Sequence, residues 1–315
     1  MRLPEYVRMV EVSPRDGLQH ETLYVPAVKK IAFIDMLSRT GLPVVEVTSC
    51  VPARWIPQLA DHAEVIGGIE KREDIRYPVL VPNLRGFADA VAAGATDISI
   101  IASASESFSQ KNSNCSIAEG LERCAGILQK AAESNLKVRA YVSCTLGCPY
   151  EGAISIHEVC RVAGRLYSLG CPEVVLSDTI GVGTPARVQK MIGAVLDKIP
   201  VANLAVHFHD TYGQALANIL AALQLGIATV DSSVAGLGGC PYAHGATGNV
   251  ASEDLLYMLD GLGIRTGVDL DGLLDAGDYI CRALGRKSGS KVAQALRAIP
   301  TIGPSLNVVS NRFST

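Results

Sequence analysis

The chain has 315 residues, 48% hydrophobic and 19% charged, with a formal net charge of −3. That balance suits a globular protein with a large core and excludes the basic footprint of a nucleic-acid-binding surface. No run of 18 or more apolar residues occurs, so no membrane span is expected, and Met1-Arg-Leu-Pro-Glu-Tyr6 has no targeting character, which leads us to expect a cytoplasmic protein.

A first strand is expected over Val7–Val12, followed by the turn Ser13-Pro14-Arg15-Asp16-Gly17. Apolar residues at helical spacing predict a helix over Val25–Thr40, with Gly41 where a C-terminal cap belongs. Strands follow over Val44–Ser49 and Tyr77–Pro82, then a helix over Arg85–Ala93 before Gly94 and a strand over Asp97–Ala102. Ser116 with Glu119 three residues on reads as a capping box that opens a helix to Ser134. After a strand over Lys137–Ser143, Ser155 and Glu158 repeat that signal for a helix to Leu169, before Gly170. Strands over Glu173–Asp178, Leu204–His209 and Thr229–Val234 complete the set. Helices between and beyond them are expected from Thr184-Pro185 to about Lys198, over Gly213–Leu225, over Ser252–Leu262 and over Asp269–Leu284.

Strand and helix thus alternate eight times, which predicts an α/β fold of the (β/α)8 TIM-barrel type. An open doubly wound sheet is the competing arrangement, but no G-x-G-x-x-G follows the first strand. Residues 1–285 are read as the barrel domain. Residues 286–315 are read as a small C-terminal helical extension packing on the barrel or on a partner subunit, with a homodimer expected. Nine cysteines are scattered through the chain, and Cys50, Cys115, Cys124, Cys160, Cys171 and Cys281 are expected to be buried, unpaired thiols.

In such a barrel, function gathers where strands end. Six of the eight strand ends here carry polar residues: Arg15 and Asp16; Glu46, Thr48 and Ser49; Tyr141 and Ser143; Ser177, Asp178 and Thr179; His207 and His209; and the loop after strand 8. His207 and His209 lie two apart on a strand, so both imidazoles share one face and suit a shared divalent cation. Asp16 and Asn249 are the candidates to complete a mixed N/O set for Mg, Mn or Zn. Arg15 offers a permanent cation to a developing oxyanion; the plainer reading is a surface ion pair with Asp16 worth ~0–1 kcal/mol. Glu46 sits in an otherwise apolar strand and needs a partner, for which Arg15 is the candidate. Asp178 either meets a substrate oxygen or caps the next helix. Gln19, Ser49, Tyr141 and Thr179 are candidate substrate contacts. Residues Gly236–Asn249 hold five glycines and a proline, which disfavours helix and strand and predicts a mobile loop. Within it, Cys240 is either an acid/base or nucleophile, or loop filler.

Three segments, Val10-Glu-Val-Ser-Pro-Arg-Asp-Gly-Leu-Gln19, Val206-His-Phe-His-Asp-Thr-Tyr-Gly213 and Gly238-Gly-Cys-Pro-Tyr-Ala-His-Gly-Ala-Thr-Gly-Asn249, resemble the 3-hydroxy-3-methylglutaryl-CoA lyase family. These are metal-dependent TIM-barrel lyases related to isopropylmalate synthases. The resemblance runs from about Val7 to Leu262 and implies cleavage of an acyl-CoA thioester into acetyl-CoA and acetoacetate. It assigns Asp16, His207, His209 and Asn249 to the metal, Arg15 to the enolate, Glu46 and Asp178 to the site, and Cys240 to the loop. His20 and Thr22, Pro52 and Arg54, and His244 depart from the family's usual residues, which leaves a longer 3-hydroxy-3-alkylglutaryl-CoA open as substrate. A Claisen-condensing synthase and a non-catalytic acyl-CoA-binding barrel are the competing functions.

Overall fold

The computed structural model describes residues 3–239 and 248–298. Its strands are β1 (Arg8–Glu11), β2 in two pieces (Val44–Val45 and Thr48–Ser49), β3 (Pro78–Leu80), β4 (Asp97–Ser103) and β5 (Lys137–Ser143). β6 (Val174–Asp178), β7 (Leu204–Phe208) and β8 (Thr229–Ser232) follow. Every pairing is parallel; each strand lies beside its successor, and β8 returns to β1. The first piece of β2 pairs with β1 and the second with β3. At the break the Glu46 amide donates to Glu11 O at 2.8 Å and the Val47 amide to Pro78 O at 3.0 Å. Both ends of the sheet are thus pieces of one strand, which closes the barrel, as the eightfold alternation predicted.

Period-two alternation sorts the strand side chains. On β5, Val138, Ala140 and Val142 join the main apolar layer beneath the helices, while Arg139 and Tyr141 face the lumen. The outer layer is built from residues such as Phe33, Ile34 and Leu37 of α1 (Ala27–Ser38) and Ile127 of α5 (Ile117–Glu133). Each such buried side chain contributes about 1.5–3 kcal/mol. Among the described residues the lumen carries two small apolar clusters, Leu80, Tyr141, Val175 and Ala205 in one and Val10, Val12 and Val44 in the other. Its remaining space holds polar groups, and those lead upward to the site.

Most expected helices form within a residue or two of their predicted ends: α3 (Leu84–Ala92), α5, α6 (Ile156–Ser168), α7 (Pro185–Leu196), α8 (Ala215–Leu223), α9 (Ser252–Gly261) and α10 (Leu270–Leu284). Ser116 and Glu119 make the predicted capping box. Ser155 is the N-cap residue of α6 but makes no side-chain capping hydrogen bond, and the Glu158 carboxylate pairs with Arg161 one turn on. Two helices escaped the periodicity reading: the short α2 (His62–Gly68) and the polar α4 (Glu106–Ser113), whose N-cap Ser105 accepts from the Phe108 amide at 3.1 Å. α11 (Lys291–Arg297) packs against α9 through Asp254, which accepts from Ser290 Oγ at 2.6 Å and from the Val292 amide at 2.8 Å. Of the six cysteines expected to be buried, Cys160 is only half-buried, on the outer groove between α5 and α6.

Candidate active site

The residues after β1 form one turn of π-helix, Ser13–Gly17, with the Gly17 amide reaching back five residues to Val12 O at 3.1 Å. Such wide turns are rare and gather at functional sites. This one points Arg15 and Asp16 together over the barrel mouth. Gly17 is required by close approach: a Cβ there would stand 2.9 Å from both Leu237 Cβ and Ser233 Oγ.

Arg15 is buried and ion-paired with two carboxylates. Its Nε and Nη2 both lie 2.6 Å from Glu46 Oε2, and Nη1 donates to Asp16 Oδ1 at 2.7 Å. Burial alone would lower the guanidinium pKa, but Glu46 and Asp16 outweigh it and hold the charge. Glu46 also accepts from Ser99 Oγ and, at 3.2 Å, from the Tyr141 hydroxyl. Burial drives the Tyr141 pKa upward, so it remains a phenol and a donor. Asp16 is half-buried; desolvation would raise its pKa, but Arg15 and the neighbouring imidazoles hold it well below the usual carboxylate range. Gln19 Nε2 donates to Asp16 Oδ1 at 2.9 Å.

β7 carries His207, and His209 follows one residue past its end. Nε2 of His207 lies 3.9 Å and Nε2 of His209 3.8 Å from Asp16 Oδ2. One ligand atom from each of the three residues lies within 4.8 Å of the others. Two imidazole nitrogens and a carboxylate oxygen converging in this way fit a divalent ion such as Mg, Mn or Zn. An isolated β-bridge to His209 sets Asn249 beside them. Its Nδ2 donates to Asp16 Oδ2 at 2.8 Å and to Leu237 O at 3.2 Å, so the carboxylate draws the donor end of the amide rather than the oxygen expected from the sequence.

A cavity of about 530 Å³ opens above this cluster. Arg15, Asp16, Gln19, Tyr141, Thr179 and both histidines line it. Ser177 also lines it, and its buried hydroxyl has no partner among the described residues. The outer rim is basic and aromatic: His20, Arg54, Lys111 and Arg123 lie there with Trp55, which is 69% exposed and has the Arg54 guanidinium 5.8 Å from its ring centre. α4 supplies Lys111, so an element hidden from the periodicity reading forms part of the wall.

Four expected site residues do not line the cavity: Glu46 and Asn249 stand behind Arg15 and Asp16, which they contact, and Ser49 and Asp178 sit apart from the cluster. Ser49 is wholly buried in β2 and does not line the cavity. The Asp178 carboxylate takes the Val182 amide at 3.1 Å and the Gly183 amide at 2.7 Å, so it ties the turn after β6 rather than opening onto the cavity. Cys240 and His244 lie outside the described residues. Missed from the sequence were Arg139 and Asp231, buried in the lumen, with Asp231 Oδ2 3.3 Å from His207 Nδ1. The signal was there: each is a charged residue inside an expected strand, as Glu46 is.

The HMGL-like family model matches residues 6–280. A hydroxymethylglutaryl-CoA lyase, mitochondrial, from Mus musculus is 60% identical over 93% of this chain and 90% of its own length. A 3-hydroxy-3-methylglutaryl-CoA lyase, cytoplasmic, from Rattus norvegicus is 61% identical over 93% of this chain and 85% of its own. The crystal structure of hydroxymethylglutaryl-CoA lyase from Pseudomonas aeruginosa superposes with a TM-score of 0.93 at 54% identity, covering 95% of this chain and 99% of that one. No helix among the described residues is long and apolar enough to cross a membrane. With the same barrel and these levels of identity over nearly its whole length, the chain belongs to the HMGL-like family of hydroxymethylglutaryl-CoA lyases.

Proposed function

We propose that the chain cleaves 3-hydroxy-3-methylglutaryl-CoA to acetyl-CoA and acetoacetate in a metal-dependent retro-Claisen reaction. The observation that carries this reading is the Asp16–His207–His209 cluster with the buried, charged Arg15 beside it at the floor of the cavity. Asp16, His207 and His209 would hold a divalent ion, Mg or Mn before Zn, with Asn249 adjacent. A bound divalent ion lowers the pKa of a substrate hydroxyl and polarises oxygens.

The chain's own groups account for the rest. Gln19, Tyr141, Thr179 and Ser177 orient the acyl portion. The tertiary hydroxyl gives its proton to the Asp16 carboxylate, since both His207 nitrogens are engaged, Nε2 toward the metal position and Nδ1 toward Asp231; the carbon–carbon bond breaks, and the electron pair moves into the thioester as an enolate. Arg15 faces that oxyanion with a cation already fixed by Glu46, so little reorganisation is needed when the charge develops. The enolate carbon then takes a proton, for which Cys240 is the donor in this reading. His20, Arg54 and Lys111 suit the anionic end of an acyl-CoA, and Trp55 offers a face for a planar ring.

Curated relatives carry both mitochondrial and cytoplasmic names; the described cysteines are all unpaired, which supports a reducing compartment such as the cytoplasm. The reaction is tested by following the products. Acetyl-CoA and acetoacetate in equal amounts support the lyase. Thiol release from acetyl-CoA plus a 2-oxo acid, with no cleavage, would show the condensing direction instead.

A further inference from the structure

His207 and His209 are not held alike. Both aim Nε2 at Asp16, so each must present an Nε2 lone pair to act as a ligand. In a neutral imidazole that requires the proton on Nδ1. His209 Nδ1 is buried with no hydrogen-bond partner among the described residues. His207 Nδ1 faces Asp231 Oδ2 at 3.3 Å, across the β7–β8 register in which the two residues are paired neighbours. Asp231 is completely buried and is gripped by Arg139, whose Nη2 donates to Oδ1 at 2.7 Å and Nη1 to Oδ2 at 3.3 Å. Arg139 is anchored in turn by Glu173 Oε1 at 2.9 Å. This chain of charges does not reach the cavity, so it cannot touch substrate. It ends on one ring nitrogen, which an ionised carboxylate can engage only as a proton acceptor.

We propose that Asp231, held by Arg139, is a positioning residue that fixes His207 in the Nδ1–H tautomer and so readies its Nε2 as a metal ligand. The inference rests on the metal-site reading above. Loss of a carboxylate behind a ligating imidazole costs about 10–100-fold in metal affinity. In Asp231→Asn the oxygen stays on Arg139, its stronger partner, and the amide NH2 turns to His207. That donor calls for a lone pair on Nδ1 and drives the proton to Nε2, the tautomer that cannot ligate.

Two measurements test this. The first is a titration of wild-type and Asp231→Asn protein with Mn2+, followed by electron paramagnetic resonance of the free ion. A dissociation constant raised about 10–100-fold in the variant supports the proposal, and one unchanged within about twofold overturns it. The second is the 15N tautomer signature of His207 in the metal-free wild-type chain at pH 8.5, which needs no variant to fold. An Nδ1–H ring supports the assignment, and an Nε2–H ring overturns it. A wild-type chain that takes up no Mn2+ overturns the metal-site reading instead, and the tautomer result then judges Asp231 on its own.

Discussion

Replacing Arg15 by Gln removes a cation that touches both Glu46 and Asp16. Three contacts are lost, two of 2.6 Å to Glu46 and one of 2.7 Å to Asp16. Stripping one partner from a buried ion pair costs about 3–5 kcal/mol. Glu46 keeps Ser99 and Tyr141 as donors, so we place the loss at the lower end, about 3 kcal/mol. At ~2–4 °C per kcal/mol this lowers Tm by about 6–12 °C. Turnover should fall further than stability alone explains, because one preorganised group facing an oxyanion is worth about 10²–10³ in kcat. The double variant Arg15→Gln/Glu46→Gln separates the two effects. It removes both charges, so Tm recovers most of the loss while kcat stays low. The assay is initial-rate acetyl-CoA release alongside thermal melts. An Arg15→Gln enzyme with kcat within about threefold of wild type would refute the reasoning, as would a double variant that regains turnover together with Tm.

Three further outcomes follow from other parts of the site. Ser177→Ala removes one neutral hydrogen bond to substrate, so kcat/KM should drop roughly 2- to 12-fold at unchanged Tm, and no drop would show that the hydroxyl faces nothing that reacts. Cys240→Ala should lower kcat by about 10²–10⁴ if the thiol is the acid; a change below about tenfold would remove it from that role. Glu253 concerns stability: burial pushes its pKa up to about 8 from an ordinary 4.5, while its carboxylate accepts the Ala235 amide at 3.0 Å. The folded chain therefore keeps a proton that the unfolded chain releases, and this contribution to stability falls between pH 4.5 and about 8, by up to ~1.4 kcal/mol per pH unit. Urea midpoints at pH 5 and pH 8 should differ less in Glu253→Gln than in wild type, and an equal difference in both would contradict the burial argument.

Alternation of β-branched runs with amphipathic helices was enough to read the barrel, because a parallel sheet covered on its outer face must be apolar there whatever else it does. What it hid had little periodicity to show. α4 reads Glu106-Ser-Phe-Ser-Gln-Lys-Asn-Ser113, almost wholly polar, and is held by a cap at Ser105 and by its pocket-side packing rather than by an apolar stripe. The site was legible wherever a polar residue followed a strand, as at Arg15, Asp16, His207 and His209. It was not legible for Asp178, since a carboxylate at a strand end serves equally well to bind the turn behind it. Arg139 and Asp231 lie below the strand ends, in the lumen, where polar groups brace the groups above them without marking the mouth of the barrel.

One measurement bears most directly on the metal-dependent lyase: acetyl-CoA release from 3-hydroxy-3-methylglutaryl-CoA by the purified chain, with Mn2+ or Mg2+ added and again with excess EDTA. We predict rapid release with metal, abolished by EDTA and restored when the ion is returned. Release at the same rate in EDTA would contradict the role given to Asp16, His207 and His209, and no release under either condition would contradict the assigned reaction.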